Sequence, residues 1–297
     1  MICILLSTYN GANFIDEQID SLTKQVDTQF SILVRDDGSL DSTPLYLKRW
    51  EEKNVIKWYQ GKNVGFVNSF FDLLIKAPEA DYYAFCDQDD IWLPDKLKVA
   101  VSKIETLNTN LKLYCSNLYI YRNGTIRGKM QNKCPKFNLS RGLVQNIATG
   151  CTILINNEFR SFLIHNMPNK VCAHDLWIYH TALLFGSVYY DDAAYILYRQ
   201  HGNNQIGTNS SFFDALKRKA KSLSTLWKQH YRELEAKELL RCYSPYLTSS
   251  QIECLKDVAL YRYSINRRMK FLFSRKYVMN NVFDNFFLKL RIILGKV

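Results

Sequence analysis

Acidic side chains directly follow two short apolar runs of the sequence. The run Tyr82–Cys86 leads into Asp87-Gln88-Asp89-Asp90, and the run Phe30–Val34 leads into Arg35-Asp36-Asp37-Gly38-Ser39. Asp87 and Asp89, two residues apart, can share one divalent cation, because hard ions such as Mg²⁺ take carboxylate oxygens together with substrate phosphates. This spacing therefore favours the binding of a diphosphate through Mg²⁺ or Mn²⁺, although a solvated acidic turn has the same pattern.

Three common motifs of catalysis and phosphate binding are absent from the sequence. There is no G-x-G-x-x-G after the first apolar run, no G-x-x-x-x-G-K-[ST] and no G-x-S-x-G. Their absence argues against a dinucleotide fingerprint, a P-loop and a hydrolase nucleophile elbow. The eight cysteines include no C-x-x-C pair, so we expect reduced thiols in the core rather than a zinc site.

Apolar runs and helical periodicity alternate through the first third of the chain. Four buried strands are predicted at Ile2–Leu6, Phe30–Val34, Val55–Tyr59 and Tyr82–Cys86. Helices are predicted over about 14–25, from a cap at Asp41 or Ser42, over 67–75 and over 94–107. This order predicts an α/β fold with a doubly wound parallel sheet. Because ligands bind at the carboxyl ends of such strands, the polar residues that follow them should converge.

The pattern changes after residue 112, where short β-rich runs replace the regular alternation. These runs are Leu113–Tyr121, a hairpin signal at Asn123-Gly124, and Thr152–Ile155. A helix is then predicted at Leu176–Phe185, and a strand at Tyr195–Tyr198. A segment rich in Gly, Asn and Ser over 202–211 precedes a remainder that is predicted to be helical.

The positive charge is confined to the last third of the chain. The 297 residues carry a net charge of +11, yet residues 1–205 contain 21 basic and 21 acidic side chains, so residues 206–297 hold the whole excess. Residues 267–297 combine eight Lys and Arg with one Asp and many aromatic side chains, which is typical of helices at a membrane surface. The other interpretation is an aromatic face packed on the protein beneath a solvated basic face. No recognition motif for nucleic acid accompanies the charge, so no nucleic-acid partner is expected.

Taken in their order and spacing, the polar motifs resemble those of glycosyltransferase family 2. The motifs are Ser7-Thr8-Tyr9-Asn10, Asp36-Asp37-Gly38-Ser39, Asn63-Val64-Gly65, Asp87-Gln88-Asp89-Asp90 and His174-Asp175. The resemblance covers residues 2–205 and implies an inverting nucleotide-sugar transferase of the GT-A fold. It implies a Rossmann-like nucleotide-sugar half over about 1–110 and an acceptor half over about 111–205. Residues 206–297 would then be a helical, basic C-terminal extension.

Tyr198-Arg199-Gln200-His201-Gly202-Asn203-Asn204, with Trp92, is similar to the rhamnosyltransferase-type members of that family, which build bacterial surface polysaccharides. The Q-x-x-R-W motif of processive synthases is missing, so we expect a non-processive enzyme. The resemblance implies dTDP-rhamnose or a UDP-hexose as donor. It implies as acceptor a saccharide carried on a polyprenyl diphosphate lipid.

The same resemblance assigns the donor nucleotide to residues at the ends of the first two strands. Thr8 and Tyr9 match the positions that hold the base and the ribose. Asp36 matches the carboxylate that accepts the N3–H of a pyrimidine, which favours uracil or thymine, and Asp37 is the next candidate. The residues alone leave open that Tyr9 is a packing aromatic and that the two carboxylates serve turn formation.

The resemblance places the diphosphate and its cation at the second acidic cluster. Asp87 matches a ribose and metal position and Asp89 the metal–diphosphate position, so Mg²⁺ or Mn²⁺ is the expected cofactor. Arg199 and His201 follow a predicted strand and are candidates to contact the leaving diphosphate, where a cationic side chain stabilises developing charge. Asp90 is expected to cap the next helix or to orient its neighbours.

Asp175 matches the general base of the family, which removes the proton of the acceptor hydroxyl. His174 and Gly150 match positions on the acceptor side. The residues alone leave open that Asp175 caps the helix that follows it, that His174 is a packing residue and that Gly150 marks a tight turn.

Two other classes of protein remain as alternatives. One is a non-catalytic nucleotide- or membrane-binding protein on the same fold, against which the intact Asp87, Asp89 and Asp175 argue. The other is a nucleotidyltransferase, whose basic glycine-rich loop is missing near Thr8. No basic N-terminal region and no apolar run of roughly 18 residues are present, so neither a signal peptide nor a membrane-spanning helix is expected. We therefore expect a cytoplasmic protein, peripheral on the cytoplasmic face of the inner membrane.

Overall fold

Two compact units divide the chain in the computed structural model, which describes residues 1–200 and 230–297. Unit 1 comprises residues 1–134, 148–165 and 185–204, and unit 2 comprises residues 135–147, 166–184 and 205–297. Each unit is thus assembled from separate stretches of the chain, whereas the sequence pattern suggested one boundary near residue 205.

Unit 1 is built on a mixed sheet of nine strands among the described residues. The strands are β1 Ile2–Thr8, β2 Phe30–Asp36, β3 Lys57–Gln60, β4 Tyr82–Cys86, β5 Ile91–Trp92, β6 Lys112–Arg122, β7 Thr125–Lys129, β8 Leu154–Asn156 and β9 Ser187–Arg199. Their spatial order is β3-β2-β1-β4-β8-β6-β9-β5, and β7 pairs with β6. Strands β1 to β4 are mutually parallel, while β8 is antiparallel to β4 and β6. The predicted α/β fold with a doubly wound parallel first half is confirmed.

Helices accompany the strands in unit 1 and make up most of unit 2. Those of unit 1 are α1 Ile15–Thr23, α2 Thr43–Glu52, α3 Phe66–Lys76, α4 Lys96–Ile104 and α6 Asn157–His165. Those of unit 2 are α5 Leu139–Gly142, α7 His174–Phe185, α8 Tyr231–Tyr243, α9 Ser249–Ala259, α10 Ile265–Phe273 and α11 Val282–Ile293. Within the described ranges, no helix is long and apolar enough to cross a bilayer.

Strand β1 forms the centre of the apolar core of unit 1. Its residues Ile2 to Leu6 are all buried, because neighbouring strands lie on both sides and helices cover both faces. Helix α1 contributes Ile15, Ile19 and Leu22 to the core, at the three- and four-residue spacing of a helix face. The continuous apolar run and the helical period in the sequence are therefore explained by burial.

The register of the parallel strands brings the polar strand ends together. Thr8 pairs with Asp36 across β1 and β2, and Leu6 pairs with Cys86 across β1 and β4. The residues that follow β1, β2 and β4 consequently lie at one edge of the sheet, as predicted. This edge is called the carboxyl edge below.

The apolar residues of the C-terminal helices form the core of unit 2. Trp177 of α7 stacks on Tyr243 of α8 with ring centroids 5.4 Å apart. Phe271 of α10 contacts Tyr261 and Tyr277 edge-on, at centroid distances of 5.7 and 5.0 Å. Helix α7, which carries His174 and Asp175, therefore depends for its packing on a helix from much later in the chain.

Candidate active site

Gln88 joins the loop after β1 to the acidic cluster after β4. Its side-chain oxygen Oε1 accepts a hydrogen bond from the Thr8 hydroxyl at 2.7 Å and another from the Tyr9 backbone N–H at 2.8 Å. A Cβ atom on Gly11 would lie 2.4 Å from the same oxygen, so any larger residue would displace Gln88 from this position. Thr8 is buried, whereas the Tyr9 ring is 42% exposed and accessible to a ligand.

Asp36 ends β2 and is completely buried. Its carboxylate accepts a hydrogen bond from Gln60 Nε2 at 2.7 Å and others from the backbone N–H and hydroxyl of Ser39. All of these donors are neutral, and none of them forms an ion pair with Asp36. The structure thus places Asp36 at the carboxyl edge, held by Ser39 and Gln60.

The ion pair and hydrogen bonds of Asp37 described here are all formed within unit 1. Its carboxylate forms a buried ion pair with Arg35 and accepts the backbone N–H groups of Val64 and Gly65, each at 2.9 Å. Arg35 also binds Asp72, through Nε at 2.9 Å. These contacts fix the loop before α3 against the carboxyl edge, so the geometry gives Asp37 a supporting role in the scaffold.

The acidic cluster after β4 brings Asp87 and Asp90 close to Cys151. One potential ligand atom from each of these three residues lies within 4.8 Å of the other two, and Asp89 does not belong to this cluster. Burial, followed by repulsion from Asp89 and Asp87, raises the pKa of Asp90 well above its usual range. Burial likewise raises the pKa of the Cys151 thiol, so the thiol stays protonated and the cluster offers oxygen ligands.

The chemistry of this cluster fits a divalent cation. Asp90 Oδ2 is buried and has no hydrogen-bond partner within residues 1–200 and 230–297. A positive ion beside Asp87 and Asp90 would relieve the repulsion that raises the pKa of Asp90. Carboxylate oxygens are also the ligands that Mg²⁺ and Mn²⁺ prefer. The residues present are therefore suited to such an ion.

Lys96 of α4 is a buried cation that the sequence pattern did not reveal. Its Nζ lies 3.4 Å from the centroid of the Trp92 ring, and the described residues provide it with no hydrogen-bond acceptor. Burial lowers the pKa of Lys96 to about 8, while Cys86, Cys151 and Asp90 act to raise it. Lys96 thus supplies positive potential to the interior side of the acidic cluster.

Arg199, at the end of β9, supports the acidic cluster from the other side. Its Nε donates to the backbone carbonyl of Asp89 at 2.9 Å, and its backbone N–H donates to Asp90 Oδ1 at 3.2 Å. Its Nη2 forms an ion pair with Glu17 at 2.6 Å. His201, the other predicted phosphate contact, lies outside the described residues.

The predicted acceptor-side residues are divided between the units. Gly150 belongs to unit 1, where it is buried and begins a short 3₁₀ turn. His174 and Asp175 belong to unit 2, at the first turn of α7. Asp175 is 9% exposed; Oδ1 accepts the backbone N–H of Leu176 at 2.7 Å, and Oδ2 accepts Nδ2 of Asn146 at 3.0 Å. Burial lowers the pKa of His174 to about 3, so its imidazole is neutral at physiological pH.

The mixed sheet, whose parallel first half carries the acidic turns at its carboxyl edge, has the GT-A fold, and solved structures of that fold match the chain. S. aureus TarS 1–349 in complex with UDP-GlcNAc matches with a TM-score of 0.59 and 22% identity, covering 92% of this chain and 73% of that one. The mannosyltransferase PcManGT of Pyrobaculum calidifontis, in complex with GDP-Man and Mn²⁺, matches with a TM-score of 0.55 and 13% identity, covering 100% of this chain and 88% of that one. At these identities the matches establish the fold.

The family follows from the sequence comparisons. The model of "Glycosyl transferase family 2" matches residues 3–163, and the chain belongs to that family. The dTDP-rhamnosyl transferase RfbG of Shigella flexneri is 32% identical over 246 residues, which are 77% of this chain and 81% of RfbG. The glucosyltransferase WfgD of Escherichia coli is 26% identical over 155 residues, which are 52% of this chain and 59% of WfgD. The protein is therefore a glycosyltransferase, as predicted, rather than a nucleotidyltransferase or a non-catalytic protein.

Four residues that organise the site were not singled out from the sequence. They are Arg35, Gln88, Lys96 and Asn146. Arg35 and Gln88 stand inside quoted motifs, so their position was a usable signal. Lys96 and Asn146 stand in ordinary helix and loop surroundings, where only the folded chain brings them to their partners.

We expect Asp37→Asn to lower the free energy of unfolding by about 3 kcal/mol, because it breaks a buried ion pair and leaves the buried guanidinium of Arg35 with the partly exposed Asp72 as its remaining carboxylate partner among the described residues. The control is Asp20→Asn, which removes an exposed pair with Lys24 and should cost less than about 0.5 kcal/mol. Chemical denaturation followed by circular dichroism measures both. Equal effects of the two substitutions would contradict the supporting role of Asp37.

Proposed function

We propose that the protein is an inverting, metal-dependent, non-processive glycosyltransferase that uses a pyrimidine nucleotide-sugar. The observation that carries this proposal is the cluster at the carboxyl edge, where Asp87 lies near Asp90, whose buried Oδ2 has no hydrogen-bond partner in the described part of the chain. Asp89 is in the same turn. A diphosphate bound through a cation suits this concentration of carboxylates better than a neutral ligand does.

The donor is proposed to be dTDP-rhamnose or a UDP-hexose. Asp36 at the end of β2 is a buried acceptor suited to the N3–H of uracil or thymine, and the exposed ring of Tyr9 is suited to stacking. The likeness to RfbG, named a dTDP-rhamnosyl transferase, supports rhamnose, and that to WfgD, named a UDP-Glc-dependent glucosyltransferase, supports a hexose. The names of these relatives also support a role in bacterial surface polysaccharide synthesis.

Asp175 is proposed as the general base of the transfer. Its carboxylate takes the proton of the acceptor hydroxyl while the acceptor oxygen forms a bond to the anomeric carbon of the sugar. The bond from that carbon to the diphosphate oxygen breaks on the opposite face, and its electron pair leaves with the nucleoside diphosphate. One carboxylate is sufficient because the transfer is a single inversion. Neutral His174 next to Asp175 adds no competing positive charge.

The leaving diphosphate carries the charge that develops in this step. Asp87, which belongs to the cluster with Asp90, is proposed to hold Mg²⁺ or Mn²⁺ together with Asp89 of the same turn. When bound, this ion would supply positive charge to the phosphate oxygens. Arg199 and Lys96 contribute fixed positive charge around the same turn. Arg199 is tied to Asp89 and Glu17, so its proposed effect is to hold the acidic turn in place.

The acceptor is proposed to be a saccharide on a polyprenyl diphosphate lipid, reached by unit 2 lying on the cytoplasmic face of the inner membrane. Each of the last two helices exposes an apolar face: α10 exposes Ile265, Met269 and Phe273, and α11 exposes Val282, Phe286 and Ile293. Exposed basic side chains accompany these faces, namely Lys270, Arg275, Lys276 and Lys289. Apolar insertion beside cationic groups suits an anionic leaflet, where each Lys or Arg contributes about 1 kcal/mol.

Nucleotide binding should depend on the cation. We expect dTDP or UDP to bind only with Mn²⁺ or Mg²⁺ present, and Asp89→Ala to abolish the cation-dependent part, because it removes a proposed oxygen ligand. Calorimetric titration with and without EDTA measures this. Asp95→Ala, at an exposed carboxylate of the following segment, is the control. Equal affinity in EDTA would rule out the metal assignment, and tighter binding of ADP or GDP would rule out the role of Asp36.

Removal of the proposed base should affect transfer alone. We expect Asp175→Asn to retain dTDP or UDP binding but to lose transfer by about 100-fold or more, the effect typical of losing a general base. Release of the nucleoside diphosphate from dTDP-rhamnose or UDP-glucose gives the rate. Asp192→Asn, at an exposed carboxylate of unit 1, is the matched control. Transfer at the wild-type rate in Asp175→Asn would show that another residue is the general base.

Membrane binding is tested by surface substitutions, since Phe271, Leu288 and Ile292 are buried and truncation would remove core residues. We expect the full chain to float with anionic vesicles at low salt, and the double variant Phe273→Ser with Phe286→Ser to bind at least tenfold more weakly. Burial of each ring contributes roughly 1.5–3 kcal/mol. Leu45→Ser is the control, because Leu45 and Phe273 are both 67% exposed.

Salt should weaken the same interaction, because charge attraction falls off within a Debye length of about 8–10 Å. Failure of the full chain to float with anionic vesicles would show that the exposed faces of α10 and α11 serve another contact. An equal loss of binding in Leu45→Ser would show that the effect is not specific to unit 2.

A further inference from the structure

Asn146 lies beside the proposed base, on a segment that several hydrogen bonds connect to the rest of unit 2. The segment comprises residues 142–147, from the last residue of α5 toward the 3₁₀ turn that starts at Gly150, and we call it the strap. The strap and α7 both belong to unit 2. Asn146 donates a hydrogen bond from Nδ2 to Asp175 Oδ2 at 3.0 Å.

Three residues of the strap form hydrogen bonds to different parts of unit 2. The carbonyl of Gly142 accepts a hydrogen bond from His180 Nε2 at 3.0 Å, and that of Val144 accepts one from Arg232 at 2.8 Å. Gln145 Oε1 accepts the backbone N–H of Asn280 at 2.7 Å. A Cβ atom on Gly142 would lie 2.4 Å from the side chain of Leu183, so the strap lies directly against α7. The Asn146 amide is consequently fixed before any substrate arrives.

The two oxygens of Asp175 receive donors of different origin. Oδ1 accepts the backbone N–H of Leu176 in its own helix, a contact that any Asp at this position could make. Oδ2 accepts the Asn146 amide from the strap, which sets the rotation of the carboxyl group about its side-chain bond. A neutral amide orients the carboxylate and favours its ionised form. A Lys at the same place would instead form an ion pair with the carboxylate.

We propose that Asn146 is a positioning residue for the transfer reaction, holding Asp175 ionised and oriented toward the acceptor hydroxyl. This inference rests on the proposed role of Asp175 as the base. Asn146 acts through the carboxylate and donates its hydrogen bond to the side chain of Asp175, so its removal leaves the backbone hydrogen bonds of α7 in place.

The first test observes the carboxyl group directly and needs no substrate. Carbon-13 labelling of aspartate side chains, with Asp175→Asn to assign the signal, gives the titration midpoint of Asp175 by NMR. We expect Asn146→Ala to move this midpoint upward by about one pH unit, because one donor to the charged form is lost. Asn146→Asp keeps the size of the side chain and should move the midpoint further, because two carboxylates then share the site. An unchanged midpoint in both variants overturns the proposal.

The second test measures catalysis with water in place of the acceptor. We expect Asn146→Ala to release the nucleoside diphosphate from dTDP-rhamnose or UDP-glucose at least tenfold more slowly, with its acidic pH limb displaced upward and calorimetric dTDP affinity unchanged. Gln145→Ala is the matched control, since Gln145 fastens the same strap and donates nothing to Asp175. Equal losses in both variants without a displaced limb would show that the strap is merely structural.

The two proposals fail in different ways. A wild-type release rate in Asp175→Asn would refute the base assignment, whatever the Asn146 variants do. A large loss in Asp175→Asn, combined with a wild-type rate and pH profile in Asn146→Ala, would refute the positioning role and leave the base assignment standing.

Discussion

The crowding of five carboxyl groups at the carboxyl edge of unit 1 is the constraint that the surrounding residues satisfy. The five are Asp36, Asp37, Asp87, Asp89 and Asp90. The parallel register brings the ends of their strands together, and within the turn after β4 Asp89 and Asp87 raise the pKa of Asp90 by repulsion. The surrounding residues accommodate these carboxyl groups in different ways.

The surroundings of these carboxyl groups differ from one to the next. Arg35 neutralises Asp37 inside the protein, and the neutral donors Ser39 and Gln60 hold Asp36. Burial and repulsion together favour the protonated form of Asp90, with Lys96 beneath the turn. Asp87 and Asp89 remain partly exposed, at the turn that is proposed to bind a cation and a diphosphate.

Local sequence patterns predicted most strands and helices of unit 1, but few of the contacts between residues that are far apart in the sequence. The strand Ile2–Thr8 and the helix Ile15–Thr23 follow from runs and periods of a few residues, which neighbouring positions determine. Gln88 and Thr8 meet across 80 positions of sequence, and Asn146 meets Asp175 across 29, so only the folded chain reveals these contacts. The division into units was hidden for the same reason, because aromatic stacking of Trp177 on Tyr243 assigns α7 to the C-terminal helices.

This stacking has a consequence for how the protein is made. A ribosome releases α7 well before it has synthesised α8, so in the nascent chain the indole of Trp177 has no Tyr243 to cover it. Unit 1 also needs β9, which follows α7, to complete its sheet. The segment that bears Asp175 must therefore wait while strands on both sides of it in sequence pair with each other. For the same reason the C-terminal helices are not an independent module, because replacing them rebuilds the packing of the helix that carries Asp175, the proposed base.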